Sequence, residues 1–155
     1  MERKNVAQNR RARFEYFVLE TFEAGIVLTG TEIKSVREGR VNLKDGYAKV
    51  EKGEMWLLNV HISPYDKGTH YNHDPVRPRK LLMHRNEIRK IFAALREKGL
   101  TLVPLAMYMK DSRYAKVELG LAKGKNLHDK RESMQDRDAV REIARAARRG
   151  GRDDE

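Results

Sequence analysis

The sequence predicts a mainly β protein: a curled antiparallel sheet of about six strands closed into a barrel, with two or three attached helices and a disordered C-terminal tail. Three observations point there. Segments rich in β-branched and aromatic residues recur between residues 14 and 122. Most are joined by tight turns, and short connections favour antiparallel neighbours. From residue 123 onward large apolar residues almost vanish while charges crowd together, so that stretch has little with which to build a core.

Taken in order, residues 14–28 (FEYFVLETFEAGIVL) alternate in part and read as one long strand, with Ala24-Gly25 as its bend or bulge. A short helix follows near 31–38. Thr29 or Thr31 can cap it, Ile33 and Val36 share a face, and Gly39 closes it. The run LKDGYAKVEKGEMWLLNVHI gives two strands around a Lys52-Gly53 turn, with Tyr47, Val50, Trp56, Leu58 and Val60 as candidate core. The polar stretch SPYDKGTHYNHDPVRPRK, with three prolines and a glycine, is a surface loop. The clearest helix is LLMHRNEIRKIFAALREKG, with Leu82, Ile88, Ile91, Phe92 and Leu95 on one face and Gly99 at its end. Two strands around Lys110-Asp111-Ser112 complete the body. A small barrel of the oligonucleotide-binding type accommodates this order.

Charge narrows the function. Charged residues make up 36% of the chain and the net charge is +10. A positive surface attracts polyanions, nucleic acid first and an anionic membrane second. The absence of cysteine removes disulfides, thiolate zinc sites and thiol catalysis. No apolar run has the length of a membrane span or a signal peptide, so a cytoplasmic protein with no membrane partner is expected. The chain divides into a basic arm (residues 1–13), a barrel body (14–122) and a basic tail (123–155), the arm being the most densely basic.

Enzyme signals are weak. His70, His73 and Asp74 in the polar loop can form a metal site for a nuclease, but a solvated loop explains them as well. No metal or cofactor is expected. Binding signals are stronger. Asn9, Arg10, Arg11 and Arg13 make a phosphate-gripping run, and Arg79 and Lys80 continue the basic character beside the second helix. In the tail, Ser133 and Asp136 outline a capping box, and Arg137, Arg141, Arg145 and Arg149 recur every four residues as one ridge. Such a helix is marginal alone and would order along RNA, whose phosphates neutralise the ridge. A general single-stranded RNA-binding or ribosomal protein also fits these features.

The segments NRRARFEYFVLETFEAGIVLTGTEIKSVREGRVNLKDGYA, DPVRPRKLLMHRNEI and KGLTLVPLAMYMKDSRYAKVELGLAKGKNLHDKRE resemble, in order and spacing, the small protein B family of bacterial trans-translation. Glu23-Ala24-Gly25, Asp74-Pro75 and Gly124-Lys125-x-x-His128-Asp129-Lys130-Arg131 are specific in combination. The resemblance covers residues 5–149. It implies a non-enzymatic, monomeric adaptor that binds the tRNA-like domain of transfer-messenger RNA. That RNA is carried to stalled ribosomes with elongation factor Tu and GTP, which the protein meets indirectly through the RNA. Asn9, Glu23, Leu82 and His84 would lie on the RNA-facing surface, with Lys123 and Lys125 among the basic neighbours. His128 would stack in the small-subunit decoding centre, with Asp129, Lys130 and Arg131 anchoring the tail, which enters the empty mRNA channel. Asn126 departs from the second lysine usual at that place in the family.

Overall fold

The computed structural model describes residues 3–66, 72–97, 99–111 and 113–125. In chain order its elements are β1 (Arg3–Gln8), α1 (Arg10–Glu15), β2 (Tyr16–Ile26), α2 (Gly30–Arg37), β3 (Val41–Asn42), β4 (Tyr47–Glu51), β5 (Glu54–Leu58), β6 (His61–Ile62), β7 (Arg79–Leu82), α3 (Arg85–Leu95), β8 (Leu100–Lys110) and β9 (Tyr114–Gly124). The expectations placed on residues 126–155, including the tail helix, its arginine ridge and the His128–Arg131 segment, lie outside the described residues.

One sheet closes on itself. Its order is β1-β8-β4-β5-β7-β2-β9, and β8 also pairs with β9, so β4, β5, β7, β2, β9 and β8 form a ring of antiparallel strands. Closure removes the open edges that a flat sheet would expose. β8 is long enough to serve three neighbours. One edge runs along β9, while the other meets β4 at Leu102 and β1 from Ala106 to Lys110. β3 and β6 form a small separate ladder. Met55, Leu57, Leu81, Leu102, Met107 and Leu119 fill the barrel interior.

A second, smaller core lies under α1, where Ala12 meets Val103, Leu105 and Ala122. Its geometry depends on irregularities in the ladder. The β8–β9 register shifts between Pro104 and Ala106, which directs Leu105 into this core. Gly120 leaves the room, since a Cβ there would stand 2.8 Å from the Leu105 side chain. Pro104, which has no N–H to give a ladder, sits at the same irregularity.

Local signals in the sequence become local structure. Thr29 caps α2 in a capping box with Glu32, and Gly39 follows the helix at φ 74°. Lys52 (φ 52°) and Gly53 (φ 78°) both adopt the left-handed conformation that a two-residue hairpin turn between β4 and β5 demands.

Four expectations are corrected. Residues 14 and 15 belong to α1, so the strand expected from 14 begins at Tyr16. Within β2 the ladder shifts at Leu19, between Val18 and Glu20, and the pairing runs regularly through Ala24-Gly25. On β4 and β5 the buried parity is Ala48, Met55 and Leu57, which leaves Tyr47 exposed and Trp56 and Leu58 half-buried. Size misled the reading at two positions, where the interior takes Ala48 rather than Tyr47 and Met55 rather than Trp56. Leu82 ends β7 rather than joining the helix, and it is exposed on the outside of the barrel.

Candidate nucleic-acid interface

The strand register assembles a continuous wall on the outside of β1, β8, β9, β2 and β7. One rung places Asn5, Tyr108, Lys116, Gly25 and Leu82 side by side across five strands. The rung on one side brings Glu23 opposite Glu118, and the rung on the other side brings Arg3 opposite Lys110. Facing the other way, Ala24, Met107, Val117 and Leu119 belong to the core. A Cβ at Gly25 would make ordinary contacts, 3.4 Å from the Leu82 Cβ and 3.7 Å from the Lys116 ammonium, so this rung packs without crowding.

Glu23 is the centre of the wall. Its carboxylate accepts a hydrogen bond from the Tyr108 hydroxyl. The Lys110 ammonium donates to both of its oxygens, at 3.3 and 3.4 Å. Like charges opposite each other in a ladder repel, but here Glu118 is drawn toward Arg13, 3.6 Å away. The Tyr108 hydrogen bond, seconded by Lys110 and Lys116, holds the Glu23 carboxyl below the usual carboxylate range against the opposing effect of partial burial. Glu23 is therefore a fixed, ionised acceptor with one flank open to solvent.

The basic residues of the N-terminal run divide. Arg10 is exposed. Arg11 is engaged with Glu15 at 2.8 Å and with Asp45 at 3.4 Å. Arg13 reaches the wall through Glu118. Asn9, expected on the surface, is buried at 3% exposure. Its carbonyl oxygen caps α1 by accepting from the Ala12 N–H, and its amide donates to the Leu43 and Pro104 carbonyls. The Pro104 carbonyl, beside the ladder irregularity at β8, takes its hydrogen bond from the Asn9 amide. Its place is beneath the surface, where it fixes the start of α1.

Arg79 is corrected in the same way. It is fully buried. Its guanidinium donates to Glu32 at 2.7 Å, to the Val60 carbonyl at 2.6 Å and to the Pro75 carbonyl at 3.0 Å. Arg77 completes the cluster on the other side of the same carboxylate. A buried charge persists only where it is paired and hydrogen-bonded, and Glu32, buried by its capping role, supplies the pairing. Lys80 stays outside in an ion pair with Glu54. His84 stands exposed at the start of α3, its N–H donating to Glu87. Lys123 is exposed opposite Phe17, and the Lys125 ammonium lies 4.8 Å from the Phe17 ring.

In the sequence Tyr108 reads only as an aromatic at core spacing and Lys110 only as a turn residue, and neither Arg3 nor Lys116 is singled out. The signal was available in the alternation of YMK and YAKVE around the Asp111 turn, which puts Tyr108, Lys110 and Lys116 on one face.

In the ring, β4 stands three strands from β2 in either direction. At that far side the β4–β5 turn and α3 enclose a groove of about 600 Å³, lined by Val50, Lys52, Arg85, Ile88, Arg89 and Phe92. Among the described residues, Lys52, Arg85 and Arg89 take part in no ion pair.

Two residues of the suggested metal site are engaged elsewhere. Both ring nitrogens of His73 serve the fold, one with the Thr31 hydroxyl at 2.8 Å and one with the Ile62 carbonyl at 2.9 Å. Asp74 accepts from the Val76 N–H, and His70 lies outside the described residues. Among the described residues no three His, Asp or Glu side chains group as ligands, and no helix is long and apolar enough to cross a membrane.

Comparison with known proteins agrees with this architecture over nearly the whole chain. The SsrA-binding protein of Desulforudis audaxviator is 61% identical over 145 residues, covering 94% of each chain. That of Geobacillus thermodenitrificans is 62% identical over 147 residues, covering 95% of this chain and 94% of its own. A chain from the solved structure "tmRNA-SmpB: a journey to the center of the bacterial ribosome" superposes with a TM-score of 0.68 at 49% identity, covering 83% of this chain and 94% of that one. The family model described as SmpB protein matches residues 6–149, and the chain belongs to that family.

Proposed function

We propose that this chain is a non-enzymatic RNA-binding adaptor that holds the tRNA-like domain of transfer-messenger RNA and delivers it to stalled ribosomes for trans-translation. The observation that carries the reading is the outer wall centred on Glu23, on a barrel whose relatives along its full length are SsrA-binding proteins. A fixed carboxylate accepts from exocyclic amino groups of bases, which phosphate-seeking lysines cannot do. Lys110, Lys116 and, through Glu118, Arg13 stand beside it as cations for the backbone, and Arg10 and Lys123 are exposed farther along. Leu82 and His84 extend the same wall with an apolar and an aromatic contact. Asn9 and Arg79 support the surface from below.

The division of labour then falls at Lys125, whose N–H closes on the Glu15 carbonyl at 2.8 Å. The folded body holds the transfer-messenger RNA. The tail carries His128, Asp129, Lys130 and Arg131 to the decoding centre, and Arg137, Arg141 and Arg145 along the mRNA channel. The far-side groove with Arg85 and Arg89 leaves a second cationic surface for ribosomal RNA. The chain acts as a monomer in the cytoplasm, and elongation factor Tu with GTP meets it only through the shared RNA.

A competition gel shift at fixed salt tests the reading. The tRNA-like fragment of transfer-messenger RNA should displace an unstructured RNA of equal length at much lower concentration. Equal affinity for the two removes the proposal in favour of a general RNA binder.

A further inference from the structure

Glu23 can discriminate between bases only if its carboxylate is held in one orientation. An exposed glutamate normally samples several rotamers, and fixing it costs side-chain entropy at the moment of binding. The wall removes that cost in advance, and two residues not among the expected RNA contacts do it. We propose that Tyr108 is a positioning residue for RNA recognition, fixing the Glu23 carboxylate through its hydroxyl while Arg3 clamps the tyrosine ring. The inference rests on the RNA-binding reading above.

Tyr108 is itself fixed from every side. Its ring is 1% exposed. The Arg3 guanidinium lies over it, 3.7 Å from the centroid. That is a cation–π contact, with the planar fork stacked on the aromatic face. Arg3 is brought there by the pairing of β1 with the terminal half of β8, where Arg3 faces Lys110 and Asn5 faces Tyr108. β1 thus does more than lengthen the sheet: it seals the ring whose hydroxyl orients Glu23. The hydroxyl stays a donor across the working pH range, since burial, aided by the Glu23 hydrogen bond, pushes Tyr108 above the ordinary tyrosine value. The charged groups facing Glu23 are Lys110 from β8, Lys116 and Glu118 from β9, and Arg3 through the ring. Of these, Lys110 makes the longer bonds to the same carboxylate, so a loss of the hydroxyl leaves a charge partner but no fixed direction.

The test is a double-mutant cycle on the full chain, read by binding to the labelled tRNA-like fragment, with a carboxyl carbon NMR titration of Glu23 in the free protein. Tyr108→Phe keeps the ring and removes the hydroxyl. It should weaken binding about tenfold to 150-fold, the scale of one hydrogen bond to a charged group. In the Glu23→Gln background it should add almost nothing, and the titration should move upward in Tyr108→Phe. Arg3→Ala should give a smaller loss in the same direction. Wild-type affinity for Tyr108→Phe, or an equal loss with and without Glu23, overturns the positioning role. Glu23→Gln at wild-type affinity overturns it too, while leaving the preference for the tRNA-like fragment standing. If the unmutated chain shows no such preference, the RNA reading itself falls, and the titration alone then decides whether Tyr108 holds Glu23.

Discussion

Removing the Glu32 carboxylate should destabilise this protein more than the removal of any surface charge. Glu32 is buried and accepts from the Thr29 N–H at 2.8 Å, from Arg79 Nε at 2.7 Å, and from Arg77 Nε and Nη2 at 3.2 and 2.5 Å. Glu32→Ala leaves the Arg79 guanidinium buried with only carbonyls for company, and breaking one side of a buried pair costs about 3–5 kcal/mol. For a chain of this size that is a fall of roughly 6–20 °C in Tm. Arg77→Ala is the matched control. Its side chain is one-third exposed, so water replaces it, and the loss should stay near 1 kcal/mol. The pH dependence follows from the same geometry. Burial alone would push the Glu32 carboxyl up, but Arg77, the Thr29 N–H and Arg79 together outweigh it and hold the group below its ordinary 4.5. A depressed carboxyl contributes stability that is complete above the unfolded value and lost as pH falls through the folded one. The gap between wild type and Glu32→Gln should therefore be constant near neutrality and shrink below about pH 4.5. Urea melts of the chain between pH 7 and pH 3 measure it. A loss under 1 kcal/mol for Glu32→Ala, or a gap that does not narrow in acid, refutes the argument.

Asn9→Ala should cost about 1–3 kcal/mol in urea melts, because it removes a helix cap and strands the Pro104 carbonyl, while the salt slope of RNA binding stays unchanged. Arg10→Gln should flatten that slope by about one unit, and Arg11→Gln by less, since Arg11 is already shared with Glu15 and Asp45; equal slopes would place both away from phosphate. A chain ending at Lys125 should bind the tRNA-like fragment with nearly full affinity yet support no tagging in a reconstituted translation system. Tagging by that shortened chain removes the tail from the mechanism.

The features legible in the sequence were those written within a few residues. The Thr29–Glu32 capping box, the Lys52-Gly53 turn and Gly39 each solve a local backbone problem, so the residue type states the conformation. Features that depend on distant partners were not legible. The run RKNVAQ has almost no strand pattern, and it becomes β1 because β8 is longer than β4 can cover. Arg79 looks like one more surface cation in RPRK, and only Glu32, forty-seven residues earlier in the chain, makes its burial affordable. Asn9 sits in the basic run NRRAR, yet its partners Leu43 and Pro104 come from two other parts of the barrel.

That contrast changes the meaning of the net charge of +10. Read as composition, it is one attraction for polyanions. In the fold it separates into charges spent inside and charges left outward. Arg79 and Arg77 hold the α2–β7 junction, and Arg11 holds α1 to its surroundings. Among the described residues Arg10, Lys116, Lys123, Arg85 and Arg89 take part in no ion pair, the last two on α3, which also reaches β2 through Lys90 and Glu20. Against that field the fixed acid at Glu23 is the informative exception. An electrostatic surface built for phosphate alone would have no use for a carboxylate locked at its centre by a buried tyrosine. On the RNA-binding reading proposed above, a surface that reads bases as well as holding a backbone needs an acceptor there, and the Tyr108 hydrogen bond, seconded by Lys110 and Lys116, keeps it ionised.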